Sequence, residues 1–471
     1  ELQYEDSGDI LTQYAEGDGP VADKESTRSI RNIANAYQSI REFTATTLKN
    51  DPSTIKRFHG YLINKVKIIR IQTPTIAKAL KIFETINDRG VGLDAMDLLK
   101  NLLFMNANES DYTKLKDVWK QITDEIYLAR EKPLRFLRYY LLATHDADNK
   151  LREEAIYGWF QKNEAATKHA SEPLKFAQRL LEAARAYRNF TANQNVRGLS
   201  ERGIANTRVL GGKSIKQHFI ILLAGRHLSD ENFTRLCDEV EKTMFVWLMT
   251  GVLGKEYERL IVDAAHELRK TSNADFDKFV EKHFEARRIA LSSEFYDRLS
   301  TLLAGDTRQF RMRYLLAKIT QHVDLMAYGS SQGRDNLEDY ISGGNDVEHI
   351  LPDKGDDDAI AEFGDGGADQ MVIQRLGNLM LVEKSINRSI QNWKYSEKIK
   401  AYPKSKYLLS RCQASKQSGQ VGVADKITKT SDALEVFPVW NTKAVDQRQR
   451  FLARLALDVW GLKPDGSAEF E

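Results

Sequence analysis

Helical periodicity through the middle of the chain is the feature that most constrains its fold. Between about residues 111 and 322, apolar residues recur at three- and four-residue spacing, the pattern of helices that each bury one face. No fixed repeat length relates these helices, so the pattern favours a bundle over a solenoid. The segments predicted to be helical are 111–129, 133–144, 152–161, 174–190, 214–227, 230–250, 255–270, 274–285, 290–303 and 308–322.

The N-terminal part has a mixed pattern. Ser29–Thr47 carries one apolar stripe at helical spacing, whereas Tyr61–Gln72 alternates between apolar and polar residues and is predicted to be a strand. Asp94 is predicted to cap a helix over 95–105. The expected fold class is therefore mostly α, with remnants of an α/β domain at the N-terminus and a small strand-containing unit near the C-terminus.

Composition excludes several classes of protein. The chain has 471 residues, and its 69 Lys and Arg nearly balance its 67 Asp and Glu, so any DNA-binding face has to be local. Cys237 and Cys412 lack the spacing of metal ligands, which argues against structural zinc and favours a reducing, cytoplasmic location. No apolar run reaches membrane-spanning length, so no membrane partner is expected.

The first motif lies at 83–101, with sequence FETINDRGVGLDAMDLLKN. One interpretation is structural: two glycines permit a tight turn between two helices, and the leucines pack. The other is that Arg89 and Lys100 approach a phosphate while Asn87 contacts a base or ribose, since Arg forms planar bidentate contacts and Lys supplies a point charge. Spacing alone leaves both interpretations open.

The second constellation lies near the C-terminus and has the composition of a phosphodiesterase site. His349 is a candidate general base, because neutral imidazole takes protons near neutral pH. Glu348 and Asn387 are oxygen donors of the kind that a hard divalent cation binds. Asn378 lies nine residues before Asn387 and is predicted to orient the site. Strand, strand and helix in that order would form a ββα-metal unit.

The segment after Asn387 is rich in Lys, Arg and aromatic residues. It predicts a basic helix beside the metal site, with Lys394, Lys398 and Tyr402 contacting the DNA backbone. Each residue alone also has a structural interpretation: a histidine at a strand end, asparagines in turns, and lysines on a solvated helix face. The joint spacing favours the nuclease.

Both segments resemble the GmrSD-type modification-dependent restriction endonucleases. The first matches at 83, 84, 87, 89, 90, 93, 97, 98, 100 and 101, and the second at 348–352, 376–379, 387, 392, 395, 398, 402, 405, 440, 448 and 460. The resemblance implies the C-terminal part of a nucleotide-binding sensor domain at 1–110, a helical linker at 111–305 and an HNH-like nuclease domain at 306–471.

The resemblance also implies cofactors and partners. A Mg²⁺ or Mn²⁺ ion is expected for the nuclease and a nucleoside triphosphate for the complete protein. The family's Asp-Gly-Gln-Gln-Arg motif is absent from this sequence, which opens at Glu1 rather than Met; we therefore expect the natural chain to extend upstream. Double-stranded DNA, modified and of phage or foreign origin, is the expected partner, and a homo-oligomer is compatible with the sequence. Two other hypotheses stay open: a non-catalytic DNA-binding scaffold, and an NTPase whose C-terminal domain docks partners.

Overall fold

The computed structural model describes residues 10–17, 19, 28–67, 95–212, 214–252, 254–330, 334–418 and 424–462. The chain forms two compact units, one of residues 1–93 with 100–107 and the other of 94–99 with 108–471. Helices account for most of the described residues, so the predicted mostly α class is confirmed.

The described part of the first unit is helical. It contains α1 (Ile10–Glu16), α2 (Arg28–Thr46) and α3 (Pro52–Lys65), and α4 (Ala95–Asn106) contributes residues to both units. The prediction of a strand over Tyr61–Gln72 is wrong for residues 61–65, which form the C-terminal end of α3. The reason lies at the start of α3: Asp51 accepts a hydrogen bond from the Thr54 backbone N–H at 2.8 Å, and Pro52 occupies the first helical position. Residues 68–72 lie outside the described part.

The second unit begins with a long series of helices. They are α5 (Tyr112–Leu128), α6 (Pro133–Thr144), α7 (Ile156–Lys162), α8 (Glu164–Thr167), α9 (Pro173–Thr191), α10 (Arg202–Gly211), α11 (His218–Ala224), α12 (Asp230–Met249), α13 (Lys255–Leu268), α14 (Phe276–Val280), α15 (Ala286–Ile289), α16 (Ser292–Ser300), α17 (Gln309–Tyr328) and α18 (Glu338–Ile341). The predicted helices at 133–144 and 174–190 correspond to α6 and α9, each beginning at a proline.

Helix α10 was not predicted from the sequence, because its composition is poor in strong helix formers. Gly203 of α10 lies against Cys237 of α12. A Cβ atom there would lie 2.6 Å from the backbone carbon of Cys237 and 2.7 Å from its Cβ, so glycine allows α10 to pack directly on α12. Packing against a neighbouring helix outweighs weak local propensity.

A small antiparallel sheet follows, made of β1 (Asn345–His349) and β2 (Leu379–Glu383). Asn345 pairs with Glu383, and His349 with Leu379. The remaining helices are α19 (Asp357–Phe363), α20 (Gln370–Ile373), α21 (Lys384–Ile390), α22 (Tyr395–Lys398), α23 (Leu408–Arg411), α24 (Ala424–Ala433) and α25 (Thr442–Val459).

A local hydrophobic core holds the sheet against the helices after it. Met380 and Val382 of β2 pack there with Ile350, Tyr395 and Trp440, and the rings of Tyr395 and Trp440 stack with centroids 5.5 Å apart. This core fixes the position of β1 and α21, on which the candidate site residues lie. Among the described residues, none of the helices combines the length and apolarity needed to cross a bilayer.

Candidate functional site

The candidate residues lie on one continuous ββα unit. His349 is the last residue of β1, Asn378 directly precedes β2, and Asn387 lies on α21, which begins immediately after β2. The order of elements agrees with the layout that the spacing of the two asparagines indicated.

His349 carries a partly buried imidazole at the end of the sheet. Burial lowers the pKa of His349, while the charge of Asp353 and a hydrogen bond with Gln374 act in the opposite direction. Its Nε2 atom is buried and has no hydrogen-bond partner among the residues that the structure describes. The ring is therefore predominantly neutral at neutral pH, and its Nε2 atom is unpaired among the described residues in either tautomer.

Glu348 lies inside the protein and is paired with a lysine. Lys398 Nζ donates a hydrogen bond to Glu348 Oε1 at 2.5 Å and another to the backbone carbonyl oxygen of His349 at 2.8 Å. Burial raises the pKa of the Glu348 carboxyl and lowers that of the Lys398 ammonium, and their mutual attraction opposes both shifts. The pair joins α22 to the end of β1.

This burial contradicts the predicted DNA contacts of Lys398 and Tyr402. Lys398 is 0% exposed and Tyr402 is 1% exposed, so neither side chain can reach a phosphate from this position. Burial, followed by the charge of Glu348, raises the pKa of Tyr402, which places its hydroxyl in the surroundings of the same carboxylate. Lys398 is bonded to Glu348 within the core, and Tyr402 is buried near the same carboxylate.

Asn387 makes its side-chain hydrogen bond to a residue that sequence reasoning missed. Its Nδ2 atom donates to Asp346 Oδ2 at 3.3 Å, and among the described residues it makes no such bond to Glu348 or His349. Alternation along β1 could have identified Asp346, because residues two apart in a strand share a face and Glu348 had already been selected. By the same rule, His349 leaves the opposite face of β1.

Asn378 holds the turn that follows His349. It is fully buried, and its Nδ2 donates to the carbonyl oxygens of Leu351 at 2.9 Å and Ile373 at 2.8 Å. Its Oδ1 accepts from the Leu351 backbone N–H at 2.7 Å and from Trp440 Nε1 at 3.1 Å. With its amide fully engaged, Asn378 is a positioning residue rather than one that touches substrate.

Gly377 and Arg448 fasten the start of β2 to α25. A Cβ atom on Gly377 would lie 2.2 Å from the carbonyl oxygen of Val445, so only glycine fits there. Arg448 is buried and its Nη1 donates to the carbonyl oxygens of Gly377 and Leu379, each at 2.7 Å. Burial lowers the pKa of Arg448 to about 10.

The other predicted contact residues lie in different surroundings. The predicted basic helix is broken into α22, a 3-10 helix at Tyr402–Lys404 and α23, and Lys394 directly precedes α22 with a partly buried side chain. Lys100 is exposed on α4. Asn87 and Arg89 lie outside the described residues.

The donors near the ββα unit are oxygen atoms. Asp346 and Glu348 supply carboxylates and Asn387 supplies an amide oxygen, which are the ligand types that Mg²⁺ and Mn²⁺ prefer. Within the described ranges, no three His, Cys, Asp or Glu side chains are grouped so that they could hold a metal ion together. The described residues therefore place oxygen donors near one another without forming a preassembled metal site.

Comparison with protein families gives the assignment. The model described as GmrSD restriction endonucleases, C-terminal domain, matches residues 289–455, which include β1, β2 and α21. The model described as GmrSD restriction endonuclease, N-terminal domain, matches residues 2–104. The chain belongs to the GmrSD restriction endonucleases. DNA is accordingly the partner of this GmrSD-family protein. No curated protein matches the chain.

Proposed function

We propose that this GmrSD-family protein is a metal-dependent, HNH-type endonuclease that nicks or cuts modified foreign DNA as part of a nucleotide-regulated defence against phage. The observation that carries the proposal is the ββα unit, with a neutral imidazole lacking a partner at Nε2 at the end of β1 and Asn387 on the helix. Membership of a restriction endonuclease family supports the reaction class.

His349 would act as the general base. Its neutral ring takes a proton from water as the water oxygen forms a bond to phosphorus, and the bond from phosphorus to the leaving oxygen breaks. The leaving oxygen takes a proton from solvent. Asn378 contributes by fixing the Leu351 backbone, which holds the turn after His349 and limits how far the imidazole can move.

Glu348 and Asn387 are the residues proposed to hold Mg²⁺ or Mn²⁺. In the structure Glu348 is paired with the ammonium of Lys398. Binding a metal there requires Glu348 to exchange its contact with Lys398 for the ion. When bound, the ion would neutralise charge on the scissile phosphate and the leaving oxygen.

The DNA-binding face is proposed to lie on the exposed part of the same segment. Lys394 stays in the proposal, joined by cations that are exposed on α21 and after α22, and Trp393 beside them is 48% exposed. An aromatic ring among cations suits contact with nucleic acid, because the cations neutralise phosphates and the ring can stack on a base. The added cations are Arg388, Lys404 and Lys406.

The N-terminal domain is proposed to sense a nucleoside triphosphate and a DNA modification. Asn87, Arg89 and Lys100 are the proposed nucleotide contacts within this chain. The support is the match of residues 2–104 to the GmrSD N-terminal domain, together with the exposure of Lys100.

Plasmid nicking tests the proposal. Supercoiled plasmid, unmodified or carrying modified bases or backbone, is incubated with Mg²⁺ or Mn²⁺, with and without EDTA and nucleoside triphosphate. We expect wild-type scission that EDTA abolishes, and a loss of about 10²- to 10⁴-fold in His349→Ala, the usual contribution of a general base. The matched control is His59→Ala, which removes an exposed histidine on α3.

Each other outcome counts against the proposal. Full cleavage by His349→Ala, with His59→Ala equally active, would overturn the role of the imidazole. Gel retardation without scission by the wild-type protein would favour the non-catalytic DNA-binding scaffold. Nucleotide turnover that is insensitive to substitution of Glu348 and Asn387, with no scission, would favour an NTPase with a docking domain. Circular dichroism of each variant checks the fold.

A further inference from the structure

The contact between Asp346 and Asn387 has a chemical consequence for the side chain of Asn387. An amide presents a donor nitrogen on one side and an acceptor oxygen on the other, whereas an ionised carboxylate only accepts. Because Asn387 Nδ2 donates to Asp346 Oδ2 at 3.3 Å, the amide nitrogen faces Asp346. The amide oxygen is thereby directed away from Asp346.

The fold also constrains Asp346. Arg313 of α17 donates to the carbonyl oxygens of Ile341 at 3.1 Å and Asn345 at 3.0 Å, on either side of the entry into β1. Its Nη2 atom also lies 3.6 Å from Asp346 Oδ1. One oxygen of the carboxylate thus faces an anchored guanidinium and the other faces Asn387, so its orientation is constrained from both sides.

We infer that Asp346 is a positioning residue that orients the Asn387 amide so that its oxygen, and not its nitrogen, is presented to a divalent cation. This inference rests on the proposed function, in which Asn387 is a metal ligand. Without the carboxylate, the amide is free to rotate and spends part of its time with the nitrogen, which cannot bind a cation, in the ligand position. Partners that orient a metal ligand typically change metal affinity by about 10- to 100-fold when they are removed.

A double-mutant cycle on metal binding tests the inference. Mn²⁺ affinity is measured by electron paramagnetic resonance and isothermal titration calorimetry for the wild-type protein, Asp346→Asn, Asn387→Ala and the double variant. We expect Asp346→Asn to weaken Mn²⁺ binding by about 10- to 100-fold. In the Asn387→Ala background the same change should have almost no further effect, because Asp346 acts through Asn387. Asp346→Glu, which keeps a carboxylate acceptor, should recover part of the affinity.

Asp339→Asn is the matched control. It removes the same charge from an exposed residue of α18 and should leave Mn²⁺ affinity unchanged. Thermal unfolding of Asp346→Asn without metal should remain close to that of the wild type. Its nicking activity should rise towards the wild-type value as Mg²⁺ is increased, since a loss of metal affinity raises the metal requirement rather than removing the base.

Three results would overturn the inference. Additive losses in the cycle would mean that Asp346 binds the ion itself. Unchanged affinity in Asp346→Asn would remove its role, and so would a wild-type protein that binds no Mn²⁺. Scission by His349→Ala would instead overturn the proposed function alone, because the cycle measures binding and does not depend on catalysis.

Discussion

The buried pair of Lys398 and Glu348 gives a prediction whose size follows from the structure. We expect Lys398→Met to destabilise the second unit by about 3–5 kcal/mol, the usual loss when one partner of a buried ion pair is removed. Lys398 Nζ makes hydrogen bonds of 2.5 Å and 2.8 Å, and the two side chains are 0% and 5% exposed, so neither Glu348 nor the His349 carbonyl gains water in compensation.

The loss should depend on pH in a defined direction. Burial already raises the pKa of Glu348, and the ammonium is the first of the groups that oppose this shift. Without Lys398 the pKa of Glu348 in the folded protein rises further above its unfolded value of 4.5. Between these two pKa values the Glu348 carboxyl is protonated in the folded protein and ionised in the unfolded chain. The cost of Lys398→Met should therefore be smallest near pH 4.5 and grow as the pH rises towards the folded-state pKa.

Hydrogen exchange of the β1 peptide, followed by mass spectrometry, measures this loss locally. Urea unfolding followed by tryptophan fluorescence gives a second measurement, because Trp440 stacks on Tyr395 of α22. The control is the double variant Glu348→Gln with Lys398→Met, which removes both charges and should recover more than half of the lost stability. A loss below about 1 kcal/mol with clearly weaker DNA binding would refute the reasoning, because that is how a surface lysine on a phosphate behaves.

Two further predictions concern the same unit. Gly377→Ala should destabilise the second unit by at least about 1–3 kcal/mol, since its Cβ would overlap the Val445 carbonyl oxygen. The urea midpoint of this variant is compared with that of Gly364→Ala, which places an alanine at an exposed glycine with φ +81° and no neighbouring atoms in the described part of the chain. The control therefore shows the cost of backbone strain without steric overlap. The acidic limb of kcat/KM for nicking should lie below pH 6.5, because burial lowers the pKa of His349 and the neutral base persists to lower pH. An acidic limb above pH 6.5 would contradict the lowering of the His349 pKa by burial.

Much of the fold could be predicted because a helix that buries one face has apolar residues at three- and four-residue spacing in its sequence. The periodicity located α6 at its observed bounds and α9 to within one residue at each end. It missed α10, which packs closely on α12 at Gly203, a tertiary contact that is not visible in local propensity. The strand prediction at Tyr61–Gln72 failed over residues 61–65, because a short alternating run could not be distinguished from the end of a capped helix.

The site was predicted less completely, because spacing indicates which residues are neighbours and not which of them are buried. The order of His349, Asn378 and Asn387 along two strands and a helix followed from the sequence. That Lys398 lies in the core did not follow, since a lysine in a Lys-rich segment has the composition of a surface residue. Its partners inside the protein are the Glu348 carboxylate and the His349 carbonyl oxygen.

The alternation of β1 assigns its two faces different roles in the proposed chemistry. Asp346 and Glu348 share one face, where Asn387 and Lys398 meet them, whereas His349 leaves the other face at the point where pairing with β2 ends. For the imidazole and the carboxylates to act on one phosphate, the chain must change direction directly after His349. Asn378 clamps both the N–H and the C=O of Leu351 there, so the residue that fixes this turn also decides whether the base and the cation ligands can act together.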